Sequence, residues 1–263
     1  VSAQSLNLSI TPQTSDHSST IFAMGNNSVM LQDSFVKFLK GGEQITGFLT
    51  YGISGEQSVL GFLSSGYDGS NAFLLDSEAD TLVRYKPSKV ESDDPSLEIF
   101  PFQDGRSVVR QNIGRFEVYD ALGTARGHYS TVTGSQGGEA ISKLSSDPMG
   151  RTVVLYNPKV VQNGEQGSRA HLTNNNGELE RFYYSPDRIT EKVHVTNNGR
   201  YIGLLTHRKG TNKQVIIFDR QGNKLKSMQF EDTIVDFTIS PDARSLLVYS
   251  ENRALAFEVL NGE

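Results

Sequence analysis

The sequence contains no cysteine and no tryptophan, and each absence excludes a class of protein. Without cysteine the chain can form no disulfide and can bind no metal through thiolates. No stretch approaches the run of about 18 apolar residues that a membrane-spanning helix needs, so no such helix is predicted. The tyrosines form no stacking series beside a basic stripe, and tryptophan is missing, so we expect no binding to nucleic acid.

What the sequence does contain is a repeated turn that ends in arginine and precedes a run of β-forming residues. The arginines follow one another at steps of 45, 49 and 44 residues. A strand-rich repeat of this length is typical of a β-propeller, with one repeat for each four-stranded blade. The four copies, and a weaker fifth one, are Asp104-Gly105-Arg106, Met149-Gly150-Arg151, Asn198-Gly199-Arg200, Asp242-Ala243-Arg244 and Ser54-Gly55-Glu56-Gln57.

The second half of each repeat predicts two strands joined by a tight turn that contains glycine. Residues 116–128 and 216–228 are the clearest examples. In the last repeat, the alternation of apolar and polar residues predicts that Val235, Phe237 and Ile239 share one buried face.

These patterns predict an all-β fold, a single β-propeller domain over residues 1–263 with six four-stranded blades, or seven as the alternative. The first blade is expected to begin with a strand at Leu6–Ile10. The last blade lacks a fourth strand, so we expect that Val1–Ser5 or residues beyond this sequence supply it, or that the blade stays incomplete. The blades are predicted at residues 6–40, 44–86, 97–130, 139–184, 191–230 and 233–263.

Both ends of the chain are predicted to lie in the same blade and therefore close together. A domain with adjacent ends can be inserted between two segments of a larger protein. We therefore expect this domain to belong to a longer chain and to be monomeric when isolated.

The charge of the chain is unevenly distributed. The net charge is −5, yet residues 181–226 contain ten Lys and Arg against three Asp and Glu, a net charge of +7. The remainder therefore carries −12. Such a basic sector could bind an anionic surface, or it could be the solvated outer rim of one blade.

Connection lengths predict where a partner would bind. The turns at one rim of the predicted propeller are short, whereas those at the other rim are long and irregular, and binding residues often lie in variable loops on a rigid scaffold. In the loop at residues 207–213, Arg208, Lys209 and Lys213 are the candidate binding residues. The long connections are residues 64–71, 86–96, 130–139, 157–168 and 207–213.

A search for catalytic motifs finds none. There is no Gly-x-Ser-x-Gly sequence and no P-loop, and the five histidines show no spacing that would pair two imidazoles on a metal. His194 lies between two valines in a predicted strand, where we expect a hydrogen-bonded structural role. We predict no catalytic residues, no cofactor and no metal site, and hence no enzymatic activity.

Two resemblances refine this prediction. The turn Ser-Pro-Asp-Ala-Arg at residues 240–244, with its relatives at 104–106 and 198–200, resembles the Ser-Pro-Asp-Gly-Arg turn of bacterial WD-like propeller repeats. The resemblance covers blades two to six and implies an interaction platform without catalysis. The chain has no Trp-Asp dipeptide, so the Asp–His network of eukaryotic WD repeats is not implied.

The second resemblance is shorter. Residues 238–244 and 254–261 look like the end of a periplasmic insert in proteobacterial phosphate ABC transporter permeases. It implies an extracytoplasmic domain tethered to the inner membrane by its parent protein, although a cytoplasmic location stays open. No phosphate-binding residue is implied.

The resulting hypothesis is a non-enzymatic interaction or regulatory propeller, most specifically the extracytoplasmic domain of such a permease. Its partner would be another protein or the parent membrane protein. The first alternative is a periplasmic propeller that binds a small ligand or peptide, and the second is a propeller hydrolase or lyase.

Overall fold

The computed structural model describes residues 20–32, 35–54, 57–66, 69–87, 97–112, 115–130, 143–162, 165–174, 176, 178–208, 210–231, 233–251 and 253–259. These residues form strands in six sheets and contain no helix. The described part of the chain accordingly offers no helix that could cross a membrane. Two compact units are present, Val1–Asn112 with Phe116–Gly127, and Ile113–Arg115 with His128–Glu263.

The first unit contains the first three sheets, apart from Arg115 and the end of the last strand. In each sheet, neighbouring strands are also neighbours in sequence, the simple up-and-down order of a propeller blade. The strands are β1 (Thr20–Met24), β2 (Asn27–Gln32), β3 (Phe35–Phe38) and β4 (Gln44–Thr46), then β5 (Phe48–Ile53), β6 (Leu60–Gly66), β7 (Gly69–Leu75) and β8 (Thr81–Tyr85), then β9 (Glu98–Pro101), β10 (Ser107–Asn112), β11 (Arg115–Tyr119) and β12 (Ala125–Ser130).

The second unit repeats this order in the remaining three sheets. Two have four strands, and the sixth has three among the described residues; Val1–Ser5, one predicted source of a fourth strand, lies outside those residues. The strands are β13 (Lys143–Ser146), β14 (Val153–Gln162), β15 (Glu165–Thr173) and β16 (Leu179–Pro186), then β17 (Ile189–Val195), β18 (Tyr201–His207), β19 (Gln214–Asp219) and β20 (Lys224–Gln229), then β21 (Ile234–Ile239), β22 (Ser245–Ser250) and β23 (Ala254–Glu258).

Apolar clusters lie between consecutive sheets within each unit. In the first unit, one cluster joins sheets one and two and another joins sheets two and three. In the second, Leu204 packs toward the fourth sheet and Leu205 packs toward the sixth, because successive strand residues face opposite sides. The fifth sheet is therefore buried on both faces.

The repeated arginine turns connect the first and second strands of their sheets, as predicted. A polar residue, whose role the sequence analysis did not predict, opens most of these turns. Its side-chain oxygen accepts a hydrogen bond from the backbone N–H five residues later, where the next strand segment starts. The pairs are Ser54 with Val59 at 3.0 Å, Asp147 with Thr152 at 2.6 Å, Thr196 with Tyr201 at 3.1 Å, and Ser240 with Ser245 at 2.9 Å.

The first blade differs from the prediction. Its fourth strand is Gln44–Thr46, which the sequence analysis placed in the second blade, and its first described strand is Thr20–Met24. Leu6–Ile10 lies outside the described residues. This blade carries no arginine turn, so no repeated signal marks where its strands begin.

The prediction for Val235 is wrong. Phe237 and Ile239 are buried, but Val235 is 42% exposed and Ile234 is buried in its place. The cause is a β-bulge between Ile234 and Asp236, where the pairing of β21 with β22 shifts register. One extra residue in a strand reverses the faces of the residues on either side of it.

Candidate binding surface

The predicted binding loop lies at one end of the fifth sheet, between β18 and β19. We call this end the loop end; it comprises Arg188, Glu191, His207, Arg208 and residues 210–213. The opposite end, formed by the turns at residues 196–200 and 219–223, is the turn end. Of the three residues predicted to bind, Arg208 and Lys213 are described at the loop end, and Lys209 lies outside the described residues.

The hydroxyl of Thr211 binds the backbone of Arg208 twice. The Arg208 backbone N–H donates to Thr211 Oγ1 at 3.1 Å, and that hydroxyl donates to the Arg208 carbonyl oxygen at 3.1 Å. Gly210 completes the turn with a φ of +74°, a conformation that glycine adopts without steric cost. The side chain of Arg208 is exposed.

Lys213 is used for internal contacts. Its ammonium lies 2.5 Å from Glu191 Oε2 and donates to the Ile234 carbonyl oxygen at 2.7 Å, which links the fifth and sixth sheets. His207 Nδ1 lies 2.9 Å from Glu191 Oε1, a short ion-pair distance without hydrogen-bond geometry. Glu191 therefore balances the charge of Lys213 beneath the loop.

Glu191 reaches this position because of a β-bulge. The pairing of β17 with β18 shifts register between Thr190 and Lys192, and Glu191 is the extra residue. Equivalent bulges occur at the start of β5 and β21, where the extra residues are Leu49 and Val235. Bulges commonly re-aim a side chain, and among these three only the one in the fifth sheet presents a charge.

The same bulge brings two arginines opposite each other. The last pair of β17 with β18 is Ile189 with His207, so Arg188 and Arg208 flank this pair on the two strands. The pKa of Arg188 is lowered, first by desolvation and then by the positive charge of Arg208. Arg188 Nη1 also contacts Thr206 Oγ1 at 3.5 Å. Within the described part of the chain, no carboxylate lies within ion-pair distance of either arginine.

At the turn end, in contrast, Arg220 is held by a carboxylate of the neighbouring fourth sheet: its Nη2 lies 3.1 Å from Glu180 Oε2. In the adjacent arginine turn of the fourth sheet, Arg151 Nε lies 3.3 Å from Asp147 Oδ2. Asp147 is fully buried and also accepts from Thr152, which makes its carboxylate a fixed anchor. The arginine in the signature of this repeat thus has a structural role.

Hydrogen bonds between neighbouring sheets also converge at the turn end. Thr152 Oγ1 donates to the Gly199 carbonyl oxygen at 2.9 Å, and Asn198 Nδ2 donates to the Pro241 carbonyl oxygen at 2.6 Å. The turns therefore connect the fourth, fifth and sixth sheets in series, and the turn end serves to fix the arrangement of the unit.

His194 has the structural role that was predicted for it. Its Nε2 is 3.3 Å from Thr238 Oγ1, and its ring meets Phe237 edge-on at a centroid distance of 6.0 Å. Desolvation by burial lowers the pKa of His194 to about 4, so the ring is neutral at pH 7. Among the residues described, no group of three or more His, Asp or Glu side chains is placed to hold a metal ion.

Two of the predicted long loops are strands. Residues 64–71 belong largely to the β6–β7 hairpin, and residues 157–168 to the long β14–β15 hairpin. Residues 88–96 and 131–139, within two other predicted loops, lie outside the described residues. Strand pairing continues through polar and glycine-containing segments because backbone groups, whatever their side chains, supply the ladder bonds.

Sequence reasoning missed Arg188, Glu191 and His207 as parts of one surface. Arg188 and Arg208 are 20 positions apart, and only the register of β17 with β18 brings them together. Without the bulge, Arg188 would have been opposite residue 209. The cluster of positive charge at residues 181–226 was the available signal, but it did not distinguish the two ends of the sheet.

Comparison with known proteins identifies the fold and no family: no family model and no curated protein matches the sequence. The structure is similar to the C-terminal WD40 domain of Sif2, with a TM-score of 0.58 and 11% identity over 90% of this chain and 67% of that chain. The Dos1 propeller gives a TM-score of 0.57 and 14% identity over 92% and 68%. BamB from Moraxella catarrhalis gives 0.53 and 17% over 94% and 71%.

These similarities, at identities below 20%, concern the fold alone. The six antiparallel sheets are thus the blades of a WD-like β-propeller, and the predicted fold class is confirmed.

Proposed function

We propose that this chain is a non-enzymatic interaction propeller that binds an acidic surface of a partner protein through the loop end of the fifth sheet. The observation that carries the proposal is the pair Arg188 and Arg208, placed opposite each other where β17 begins and β18 ends, with no carboxylate of the described residues within ion-pair distance of them. Charged side chains of like sign at facing positions destabilise a sheet. An unfavourable arrangement of this kind is expected at residues that serve function rather than stability.

The rest of the fifth sheet supports this proposal. Its two faces are buried against neighbouring sheets, and its turn end is occupied by links between sheets. The loop end and the edge strand β20 are therefore the parts of this blade that are exposed to another molecule, and the loop end is the one that carries the arginine pair. A propeller with rigid blades and one charged end is suited to the role of a platform.

A photo-crosslinking experiment tests the proposal. We would place p-benzoylphenylalanine at Asn212, which is exposed at the loop end, and at Gln221, which is exposed at the turn end of the same sheet. In cells that make the natural protein, irradiation should yield a discrete adduct with a protein from position 212. Position 221 is the matched control and should yield none.

Two results would contradict the proposal: equal adducts from both positions, or no protein adduct from position 212. The first alternative, a propeller that binds a small ligand, predicts no protein adduct from position 212. It also predicts that one compound in a screen of small ligands raises the melting temperature, because a ligand that binds the folded state stabilises it. The propeller hydrolase or lyase would instead require turnover that depends on side chains in one site.

The finer form of the proposal is an extracytoplasmic domain of an inner-membrane phosphate-type ABC transporter permease. It rests on the sequence resemblance of residues 238–261. In this form the adduct from position 212 should contain a subunit of the same transporter, and a reporter active only outside the cytoplasm should be active when fused to this domain in its parent chain. An adduct with an unrelated cytoplasmic protein would contradict the finer form and leave the interaction role intact.

A further inference from the structure

We infer that Arg188 and Arg208 together form a recognition site for side-chain carboxylates of an acidic peptide segment on the partner. This inference rests on the proposed function and names the chemistry of its binding site. It is argued from the position of the two arginines, from the groups around them and from the chemistry of the guanidinium.

The position of the pair is set by backbone geometry. Facing side chains on adjacent antiparallel strands have Cβ atoms about 5 Å apart. Arg188 and Arg208 flank the final pair of β17 with β18, and the Thr211 hydroxyl holds the backbone of Arg208 at both its N–H and its carbonyl. The backbone positions from which the two side chains extend are thus set by the strand pairing and, at Arg208, by the Thr211 hydroxyl.

Among the residues that the structure describes, the groups around the pair leave its positive charge uncompensated. Glu191 is the carboxylate beneath the loop, and it is already in contact with Lys213 and close to His207. Asp187 is exposed next to Arg188, but it forms no ion pair with either arginine among the described residues. Thr206, which contacts Arg188, is fully buried and carries no charge. A ligand is therefore the natural source of the missing negative charge.

The chemistry of the two side chains favours an oxyanion. A guanidinium presents parallel N–H donors that match the two oxygens of a carboxylate, and such bidentate pairs are stronger than neutral hydrogen bonds. Two guanidiniums on opposite residues of one sheet end can engage one carboxylate each. An acidic segment offers several carboxylates in sequence, which fits a site with two guanidiniums rather than one.

The test uses a fluorescein-labelled peptide with three Glu-Glu pairs separated by glycine, and it measures fluorescence anisotropy at low and physiological salt. R188Q/R208Q should weaken binding by about tenfold or more, since charge-assisted hydrogen bonds are lost. K224Q/K226Q is the matched control, because it removes two exposed cations from β20 of the same sheet, and it should change binding by less than about twofold. R188K/R208K keeps both charges and should still lose several-fold, because lysine lacks the fork.

Equal losses of peptide affinity in R188Q/R208Q and K224Q/K226Q would overturn the inference, because the overall positive charge of the blade would then explain the binding. Unchanged peptide binding by R188K/R208K would also overturn it. The same holds if inorganic phosphate, at the concentration of the peptide, displaces the peptide completely. Circular dichroism would confirm that each variant is folded. A peptide that fails to bind, together with a protein adduct at position 212, would refute the carboxylate site and leave the proposed function standing. Peptide binding that depends on the arginines, without a protein adduct at position 212, would support the carboxylate site and contradict the proposed function.

Discussion

The two ends of the fifth sheet are built from the same kinds of residue and treat positive charge differently. At the turn end, Arg220 lies against Glu180 of the fourth sheet. At the loop end, Arg188 and Arg208 lie opposite each other with no such partner among the described residues. The difference shows that one end of the sheet is tied to its neighbours and that the other end carries positive charge without a carboxylate partner among the described residues.

The largest expected difference between the ends comes from their glycines. Gly199 at the turn end has a φ of +69°, and an added Cβ would lie 2.8 Å from Thr152 Oγ1. Gly210 at the loop end has a φ of +74°, and nothing lies within 4 Å of an added Cβ. We expect G199A to lower the free energy of unfolding by about 3 kcal/mol, through strain and overpacking. G210A should cost about 1 kcal/mol, through strain alone.

Urea denaturation at pH 7.5 measures both values. If the two substitutions cost the same, the turn end is no more tightly packed than the loop end, and the structural half of the comparison is wrong.

The second prediction concerns the middle of β17, between the two ends. Burial lowers the pKa of His194 to about 4 in the folded state, whereas an unfolded chain has the ordinary value of about 6.5. The unfolded state therefore takes up its proton first as the pH falls, and stability is lost between pH 6.5 and pH 4. At pH 5 the loss is about 2 kcal/mol from this group.

The check is to compare unfolding at pH 7.5 and pH 5.0 for the wild type and for H194Q. H194Q should lose about 2 kcal/mol less than the wild type between these two values. Burial also lowers the pKa of His171 to about 4. This histidine is present in both proteins, so it contributes equally to the pH dependence of their stability. An identical pH dependence in the two proteins would mean that His194 is accessible to water and that the centre of the fifth sheet is less well packed than described.

The smallest effects should have opposite signs at the two ends. R208Q removes a like-charge contact and should raise the free energy of unfolding by a few tenths of a kcal/mol. R220Q removes an ion pair whose side chains are about one-third exposed, and it should lower that free energy by about 0.5 kcal/mol. Both effects should shrink at 1 M salt, since exposed charges are screened. A loss of stability in R208Q would show that Arg208 has a stabilising partner.

Much of the fold could be predicted from the sequence, because the turns repeat. The glycine or alanine before each arginine supplies a positive φ, as at Gly150, Gly199 and Ala243, and the strand that follows each arginine is where the pattern predicts it. The residues that cap the turns, such as Asp147 and Thr196, could also have been found, because they recur at a fixed distance before those strands.

The binding surface could not be predicted in the same way. It depends on a bulge at Glu191 that moves Arg188 by one position relative to β18. The analogous bulge at Val235 reversed a prediction of burial. A bulge leaves no residue type of its own in the sequence, because any side chain can occupy the extra position of an exposed strand end.

Hydrogen exchange with and without the acidic peptide tests the central claim, that the two ends of one sheet have separate roles, most directly. The account predicts that saturating peptide slows amide exchange at residues 206–214 and leaves residues 196–201 unchanged. Slower exchange at residues 196–201, or equal slowing at both ends, would contradict it.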